Sequence, residues 1–240
     1  MHLLQFRDSS AKASVMDVAL DRPVWATLTT RHAALAWGDA RAWRLDAAVG
    51  PFAAPADTRP ESLAALAALL PAGDEFWLVE SAELPLPPGL ALRRQAPLDQ
   101  MVATAVAPPT AAFAIDPLGE ADAPDMLALA TLTKPGPFRR RTHELGRFVG
   151  VRDGDGRLIA MAGERMKLPG YVEVSGVCTH PDHRGRGYAA QLMRAVASRI
   201  IAAGDAAFLH VYPSNAGAIA LYETLGFRRR RGMSLQIVAR

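Results

Sequence analysis

Residues 177–193, VCTHPDHRGRGYAAQLM, constrain the fold more than any other stretch of the sequence. Apolar side chains recur at three- and four-residue spacing from Leu192 to Ile200, which predicts an amphipathic helix that ends at Gly204. The turn before this helix, residues 184–187 (RGRG), removes side chains where a ligand could approach the backbone. Because the first N–H groups of a helix have no partner within it, this strand, turn and helix together predict an anion-binding site.

This turn resembles the acyl-CoA signature of the GNAT superfamily of N-acyltransferases, Gln/Arg-x-x-Gly-x-Gly/Ala, which Arg184, Gly187 and Ala189 match. A second segment similar to that family, FLHVYPSNAGAIALYETLGF, follows at residues 208–227, and the resemblance covers roughly residues 111–240. It implies an N-acetyltransferase in which the amides of the turn hold the pyrophosphate of acetyl-CoA. The acetyl group would then pass directly to a primary amine, and the identity of that acceptor stays open.

The resemblance also implies roles for single residues. A backbone N–H near Val177 would polarise the acyl carbonyl, Asn215 would hydrogen-bond the pantetheine arm, and the hydroxyl of Tyr222 would point at the CoA sulfur. From its spacing alone, Tyr222 could instead be a packing residue of an amphipathic helix. No metal is expected. The predicted cofactor-binding residues are Val177, Cys178, Thr179, Arg184, Gly185, Arg186, Gly187, Tyr188, Ala189 and Asn215.

The order of elements after residue 110 is similar to the fold of that family, a central mixed sheet flanked by helices within the α/β (mixed α+β) class. Asp153-Gly154-Asp155-Gly156 predicts the turn of a hairpin. Residues 109–240 are therefore predicted to form the GNAT domain. Strands are expected at residues 112–115, 147–152, 157–168 and 171–179, and a helix at residues 122–133.

Residues 1–108 are predicted to form a divergent N-terminal α/β domain. Residues 23–30 and 75–80 are rich in β-branched and aromatic side chains and predict strands, and residues 60–70 predict a short buried helix. The signature does not recur before residue 110. This half is either a degenerate copy of the GNAT fold or a wall on the acceptor side.

The chemistry requires a group that takes the proton of the acceptor ammonium. Along residues 171–179, Glu173 shares one face with Val177, and we expect that face to be wet and open to a cleft. Glu173 is therefore the candidate catalytic base, and Tyr222 is the candidate acid for the leaving thiolate. Water, or the pair formed by His143 and Glu144, is the alternative base.

The lone cysteine, Cys178, excludes an internal disulfide and falls on the apolar face of its strand, so we expect a structural thiol. His180 and His183 are predicted to be turn residues, because no further metal ligand accompanies them. We expect a cytoplasmic protein, since the first fifteen residues have too short an apolar run for a signal peptide and no stretch could span a membrane.

The net charge of +3 is unevenly distributed, because residues 1–110 carry 9 basic and 12 acidic side chains and residues 111–240 carry 18 and 12. A basic half is typical of nucleic-acid binding, and it also fits a cofactor with several phosphates. The arginine runs at residues 139–141 and 228–231 come with no nucleic-acid-binding motif, so we expect no nucleic-acid partner. A module that binds acyl-CoA without transferring the acyl group is the other alternative.

Overall fold

The described part of the chain, residues 18–240 of a computed structural model, is built around one eight-stranded sheet. The expectation about the first fifteen residues therefore lies outside the described residues. The helices, numbered along the chain, are α1 (Pro23–Leu28), α2 (Pro60–Ala68), α3 (Ala123–Thr133), α4 (Tyr188–Ala202) and α5 (Ala216–Thr224). The strands are β1 (Ala36–Asp39), β2 (Ala42–Leu45), β3 (Ala53–Pro55), β4 (Glu75–Glu80), β5 (Ala91–Ala103), β6 (Asp116–Leu118), β7 (Phe148–Arg152), β8 (Leu158–Leu168), β9 (Tyr171–Thr179), β10 (Ala206–Val211) and β11 (Arg228–Ala239).

The large sheet has the strand order β4-β11-β5-β10-β9-β8-β7-β6, and β1, β2 and β3 form a separate small sheet. In the large sheet β9 and β10 pair in parallel, whereas the other neighbours pair antiparallel. Helix α4 packs on β7, β8 and β9, and α3 packs on β8 and β9. The predicted central mixed sheet flanked by helices is confirmed.

Helix α4 shows how the sequence pattern becomes packing. Its apolar stripe, which includes Leu192, Val196 and Ile200, is buried against the sheet. Removing such side chains from water contributes about 1.5–3 kcal/mol each to folding. At the end of the helix, the N–H groups of Ala203 and Gly204 donate to carbonyls of the last turn. Gly204 adopts a positive φ of 91°, a backbone conformation that glycine takes at little cost.

Most of the predicted elements are confirmed, and two are wrong. Residues 23–30 are not a strand, since Pro23–Leu28 form α1 with buried side chains at helical spacing. Proline at the first helical position favours the start of a helix, and this preference outweighs the β propensity of the segment. Residues 112–115 are not a strand either, and the edge strand is β6, a few residues later.

The large sheet includes strands from both sides of residue 108. Strand β5 pairs with both β10 and β11, and β4 pairs with β11. The two predicted halves therefore share one sheet, and the division at residue 108 stays a prediction. Within residues 18–240 no helix is long and apolar enough to cross a membrane.

Candidate functional site

The predicted anion-binding turn lies between the end of β9 and the start of α4. Gly185 and Gly187 both have positive φ, 76° and 78°, and a side chain at either position would point into open space. Arg184 and Arg186 are exposed beside them. The turn thus leaves the first amides of the fifteen-residue helix α4 uncovered, next to two cations, which is the arrangement that binds phosphate oxygens.

The turn forms one wall of a cavity of about 500 Å³, which we call the turn cavity. The remaining walls come from the end of β9, from the loop after α3 and from α5. Every residue predicted to bind the cofactor lines it, so the structure brings the two family-like segments together around one space. These residues are Val177, Cys178, Thr179, Arg184, Gly185, Arg186, Gly187, Tyr188, Ala189 and Asn215.

Strand β9 is interrupted where it meets this cavity. Between Ser175 and Cys178 two residues, Gly176 and Val177, lie opposite the single residue Ala162 of β8, which is a β-bulge. Gly176 has a positive φ of 63°, and a side chain there would press on the ring of Phe148. A bulge disrupts the hydrogen-bond ladder locally, so the backbone at Val177 is turned away from regular pairing.

On its other edge, β9 pairs with β10 through three residue pairs, and the last of them joins Glu173 to Phe208. Beyond this pair the ladder ends, although both strands continue. The opening between them is where the turn cavity reaches Val177 and where His210 and Val211 line a second cavity. The two strands therefore create the cleft by parting.

Asn215 and Tyr222 approach the cleft from α5. The side-chain oxygen of Asn215 caps the helix by accepting the N–H of Ala218 at 3.2 Å, which leaves its amide N–H₂ for a ligand. Within residues 18–240 the Tyr222 hydroxyl makes no hydrogen bond, and its ring packs beside Phe227. Burial raises the pKa of Tyr222, so its hydroxyl keeps its proton at neutral pH.

Glu173 is not exposed on a wet face, and that prediction is wrong. Its side chain is 0% exposed, because Arg165 and His210 cover it. One carboxylate oxygen accepts from Arg165 and from His210 Nδ1, both at 2.8 Å. The other accepts from Arg165 Nε at 2.7 Å and from the N–H of Met166 at 3.4 Å.

These four contacts occupy the acceptor capacity of the Glu173 carboxylate. Burial alone would raise its pKa, but the charge and hydrogen bonds of Arg165 and His210 outweigh burial and lower the pKa to about 2. A carboxylate with that pKa is a weak base at neutral pH. The structure therefore argues against direct proton transfer from a substrate to Glu173.

His210 is the residue near the cleft that the sequence reasoning missed. Its ring is nearly buried and lies between Glu173 on Nδ1 and the Gln100 amide, which is 3.1 Å from Nε2. With Nδ1–H donating to the carboxylate, Nε2 accepts from Gln100. The residue lay within the family-like segment at 208–227, but no spacing signal linked it to Glu173.

A second cavity of about 480 Å³ lies on the other side of the cleft, and we call it the aromatic cavity. It shares five residues with the turn cavity, so the two spaces meet at Lys134, Pro135, Val177, Asn215 and Tyr222. The half of the chain before residue 108 supplies much of its wall. Besides Val177, Tyr222 and two prolines, its aromatic and aliphatic lining consists of Phe52, Trp77, Val79, Leu98, Val211, Tyr212 and Leu235.

The alternative bases lie elsewhere. Glu144 is paired with Arg141 at 2.5 Å, and that hydrogen bond lowers the pKa of the carboxyl. His143 contacts Glu120 at 2.7 Å. Neither His143 nor Glu144 lines the two cavities. These three side chains are close enough to hold a metal ion, but that grouping is away from the cleft.

The remaining candidate residues are buried or bonded to other parts of the protein. Cys178 is buried, and burial raises the pKa of its thiol to about 11, which keeps it protonated and unreactive. His180 accepts the N–H of Asp182 within its own turn. Arginines of both basic runs pair with carboxylates of the first half: Arg139 with Asp74, Arg141 with Asp46, Arg229 with Asp99, and both Arg230 and Arg231 with Asp21.

Comparison with known proteins agrees with this geometry. The family model described as FR47-like protein matches residues 148–235. The crystal structure of a GNAT-family protein from Novosphingobium aromaticivorans is 49% identical, with 92% of this chain and 98% of that chain covered and a TM-score of 0.86. Comparison with curated proteins gives no match.

Two more distant structures share the fold. A GCN5-related N-acetyltransferase from Kribbella flavida has a TM-score of 0.61 at 19% identity, over 90% of this chain and 94% of that chain. A GCN5-related N-acetyltransferase-like protein from Streptococcus suis has a TM-score of 0.52 at 12% identity, over 85% of this chain and 82% of that chain. Both alignments extend across residue 108, since each covers more than four fifths of the chain.

Proposed function

We propose that this chain, which belongs to the GNAT family of acetyltransferases, transfers the acetyl group of acetyl-CoA directly to a primary amine. The observation that carries the proposal is the junction of the turn cavity and the aromatic cavity at Val177 and Tyr222. A thioester in the first and an amine in the second would meet there. Holding two reactants in attack geometry supplies a large share of the barrier reduction in such a reaction.

The turn cavity is the donor site in this proposal. The amides at Gly185, Gly187 and the start of α4 would hold the pyrophosphate, and Arg184 and Arg186 would add positive charge. The free amide of Asn215 would donate to the pantetheine arm. The N–H of Val177, at the bulge, would donate to the thioester carbonyl, where negative charge develops as the amine attacks.

Water takes the proton of the acceptor ammonium in this mechanism. The Glu173 carboxylate has no free lone pair and a pKa of about 2, and Gln100 occupies Nε2 of His210. Glu173 therefore acts as a positioning residue. By binding both Arg165 of β8 and His210 of β10, it fixes the two strands on either side of β9 just before the cleft opens.

Tyr222 is the proposed acid for the leaving group. When the carbon–sulfur bond breaks, the thiolate of CoA needs a proton, and a phenol at the junction of the cavities can donate one. The hydroxyl is available, because within residues 18–240 it has no other hydrogen-bond partner. Its raised pKa ensures that it arrives protonated.

The test is release of the CoA thiol from acetyl-CoA in the presence of single amines, with mass spectrometry of the product. An N-acetylated amine formed together with free CoA is the expected result. A protein that binds acetyl-CoA by calorimetry and acetylates no amine of a broad panel would instead be an acyl-CoA-binding module. That outcome would remove the proposal of acetyl transfer and leave the donor site intact.

A further inference from the structure

The side chains that line the aromatic cavity carry a net positive charge. Three cations line it, Arg94, Lys134 and Arg165, and its lining includes no aspartate or glutamate among the described residues. The charge of Arg165 is compensated by Glu173 directly beneath it. Arg94 and Lys134 have no carboxylate partner within residues 18–240, so the two exposed cations give the cavity a net positive field.

Arg94 is held at the wall of this cavity. It lies on β5 two residues before Ala96 and four before Leu98, on the face of the strand that also carries Gln100. Its guanidinium stacks over the ring of Tyr212, 5.1 Å from the ring centroid. Stacking on an aromatic face orients a guanidinium and leaves its N–H groups free at the edge for a planar anion.

Much of the remaining wall is apolar, although His210 and Asn215 also line it. Phe52, Trp77 and Leu98 belong to it, and Arg165 covers the ring of Phe52 at 4.9 Å. A volume of about 480 Å³ is within the range of sites for small molecules. The cavity thus offers an apolar wall and a fixed cation to a ligand whose amine must reach Val177.

We propose that the acceptor is an α-amino acid with an apolar or aromatic side chain, whose carboxylate is bound by Arg94 and Lys134. This inference rests on the proposed acetyl transfer and names its substrate class. Water takes one proton from the acceptor ammonium, and the freed amine nitrogen attacks the thioester carbonyl carbon. The carbon–sulfur bond breaks and the thiolate takes a proton from Tyr222. The second proton lost by the nitrogen passes through water to the Tyr222 phenolate, which restores the acid. The products are an N-acetyl amino acid and CoA.

The same charges disfavour other amines. A polyamine or an aminoglycoside would bring several ammonium groups against Arg94 and Lys134. The described lining of the cavity includes no carboxylate that could compensate those charges. An amine that lacks a carboxylate would leave the two cations without a partner. Discrimination therefore comes from both attraction and repulsion.

The first experiment compares four acceptors: phenylalanine, phenylalaninamide, phenethylamine and spermidine. We expect phenylalanine to have the highest kcat/KM, at least about tenfold above its amide, because a hydrogen bond to an ionised group is stronger than one to a neutral group. Spermidine or phenethylamine acetylated as well as phenylalanine would overturn the substrate class while acetyl transfer stands. If none of the four is acetylated, a broad panel of amines is tested next. Acetylation of only those amines that lack a carboxylate would overturn the proposed substrate class and leave acetyl transfer standing. Acetylation of no amine would overturn the proposed function.

The second experiment uses Arg94→Gln and, as its matched control, Arg93→Gln. The two variants lose the same charge from neighbouring positions, but Arg93 donates to the carbonyl of Arg240 and does not line the cavity. The measured quantity is the ratio of kcat/KM for phenylalanine to that for phenylalaninamide. We expect the ratio to fall about tenfold in Arg94→Gln and to stay unchanged in Arg93→Gln. An unchanged ratio in folded Arg94→Gln would overturn the assignment of the carboxylate site.

Discussion

Replacing Glu173 by glutamine tests whether the carboxylate positions the strands or takes a proton. The neutral amide has the shape of the protonated acid, so it removes the negative charge that now binds Arg165 and His210. The Arg165 side chain is only 13% exposed, so its positive charge would then be buried without a carboxylate to balance it. Removing one partner of a buried ion pair costs about 3–5 kcal/mol.

The pKa gives a second estimate of the same magnitude. A carboxyl whose pKa falls from 4.5 to about 2 on folding contributes roughly 3 kcal/mol to stability at pH 7. Because the folded pKa is the lower one, this contribution is complete above the unfolded value and is lost as the pH falls towards 2. The gap between wild type and Glu173→Gln should therefore be about 3 kcal/mol at pH 7 and about 2 kcal/mol at pH 3.5.

The assay combines urea unfolding at both pH values with the pH dependence of kcat/KM. We expect a large loss of stability and an acidic limb of unchanged shape, because a group with a pKa of about 2 does not titrate in the working range. Glu164→Gln is the matched control: Glu164 is also buried and paired, with Lys167 and Arg199, but neither partner lines the two cavities, whereas Arg165 and His210 line the aromatic cavity. Unchanged stability together with a flattened acidic limb in Glu173→Gln would refute the positioning role and make Glu173 the base.

Three further predictions concern the donor site, the acid and the sheet. The Kd of acetyl-CoA, measured by calorimetry, should be at least about tenfold higher for Gly187→Asp than for Gly187→Asn. Both side chains tolerate a positive φ, but only the aspartate repels phosphate. Tyr222→Phe should bind acetyl-CoA normally and turn over about 10²-fold more slowly, roughly 2.7 kcal/mol, whereas an equal rate would make Tyr222 a packing residue. The fragment 109–240 should show no cooperative urea transition, because it lacks β5, the partner of both β10 and β11, and a cooperative transition would make it an independent domain.

The strand, turn and helix that line the turn cavity were predictable because the information for them is local. Glycines at residues 185 and 187 and the apolar period of α4 lie within one short stretch, and the resemblance of that stretch added the roles of its residues. The same holds for the hairpin of β7 and β8, whose turn residues fix it. Segment 23–30 shows the limit, because its composition favours a strand while burial at helical spacing decides for α1.

Glu173 shows why the candidate base could not be judged from the sequence. Alternation along β9 correctly separates Glu173 from Val172 and Val174, but it says nothing about what covers each face. Ser175 on the same face is partly exposed, and the bulge interrupts the alternation before Val177. Glu173, where β10 still pairs, is covered by Arg165 and His210. The pKa of a carboxyl depends on those neighbours rather than on its own strand.

The acceptor side depends on still more distant parts of the chain. Residues near positions 52, 77 and 94 reach the cavity only because β4 and β5 are inserted beside β11 and β10. A turn formed by consecutive residues can be recognised by pattern, whereas a wall assembled from separate segments has no spacing of its own. The half of the chain without the signature therefore contributes Arg94 and much of the apolar wall. In the function proposed above, that half selects the amine and the other half binds acetyl-CoA.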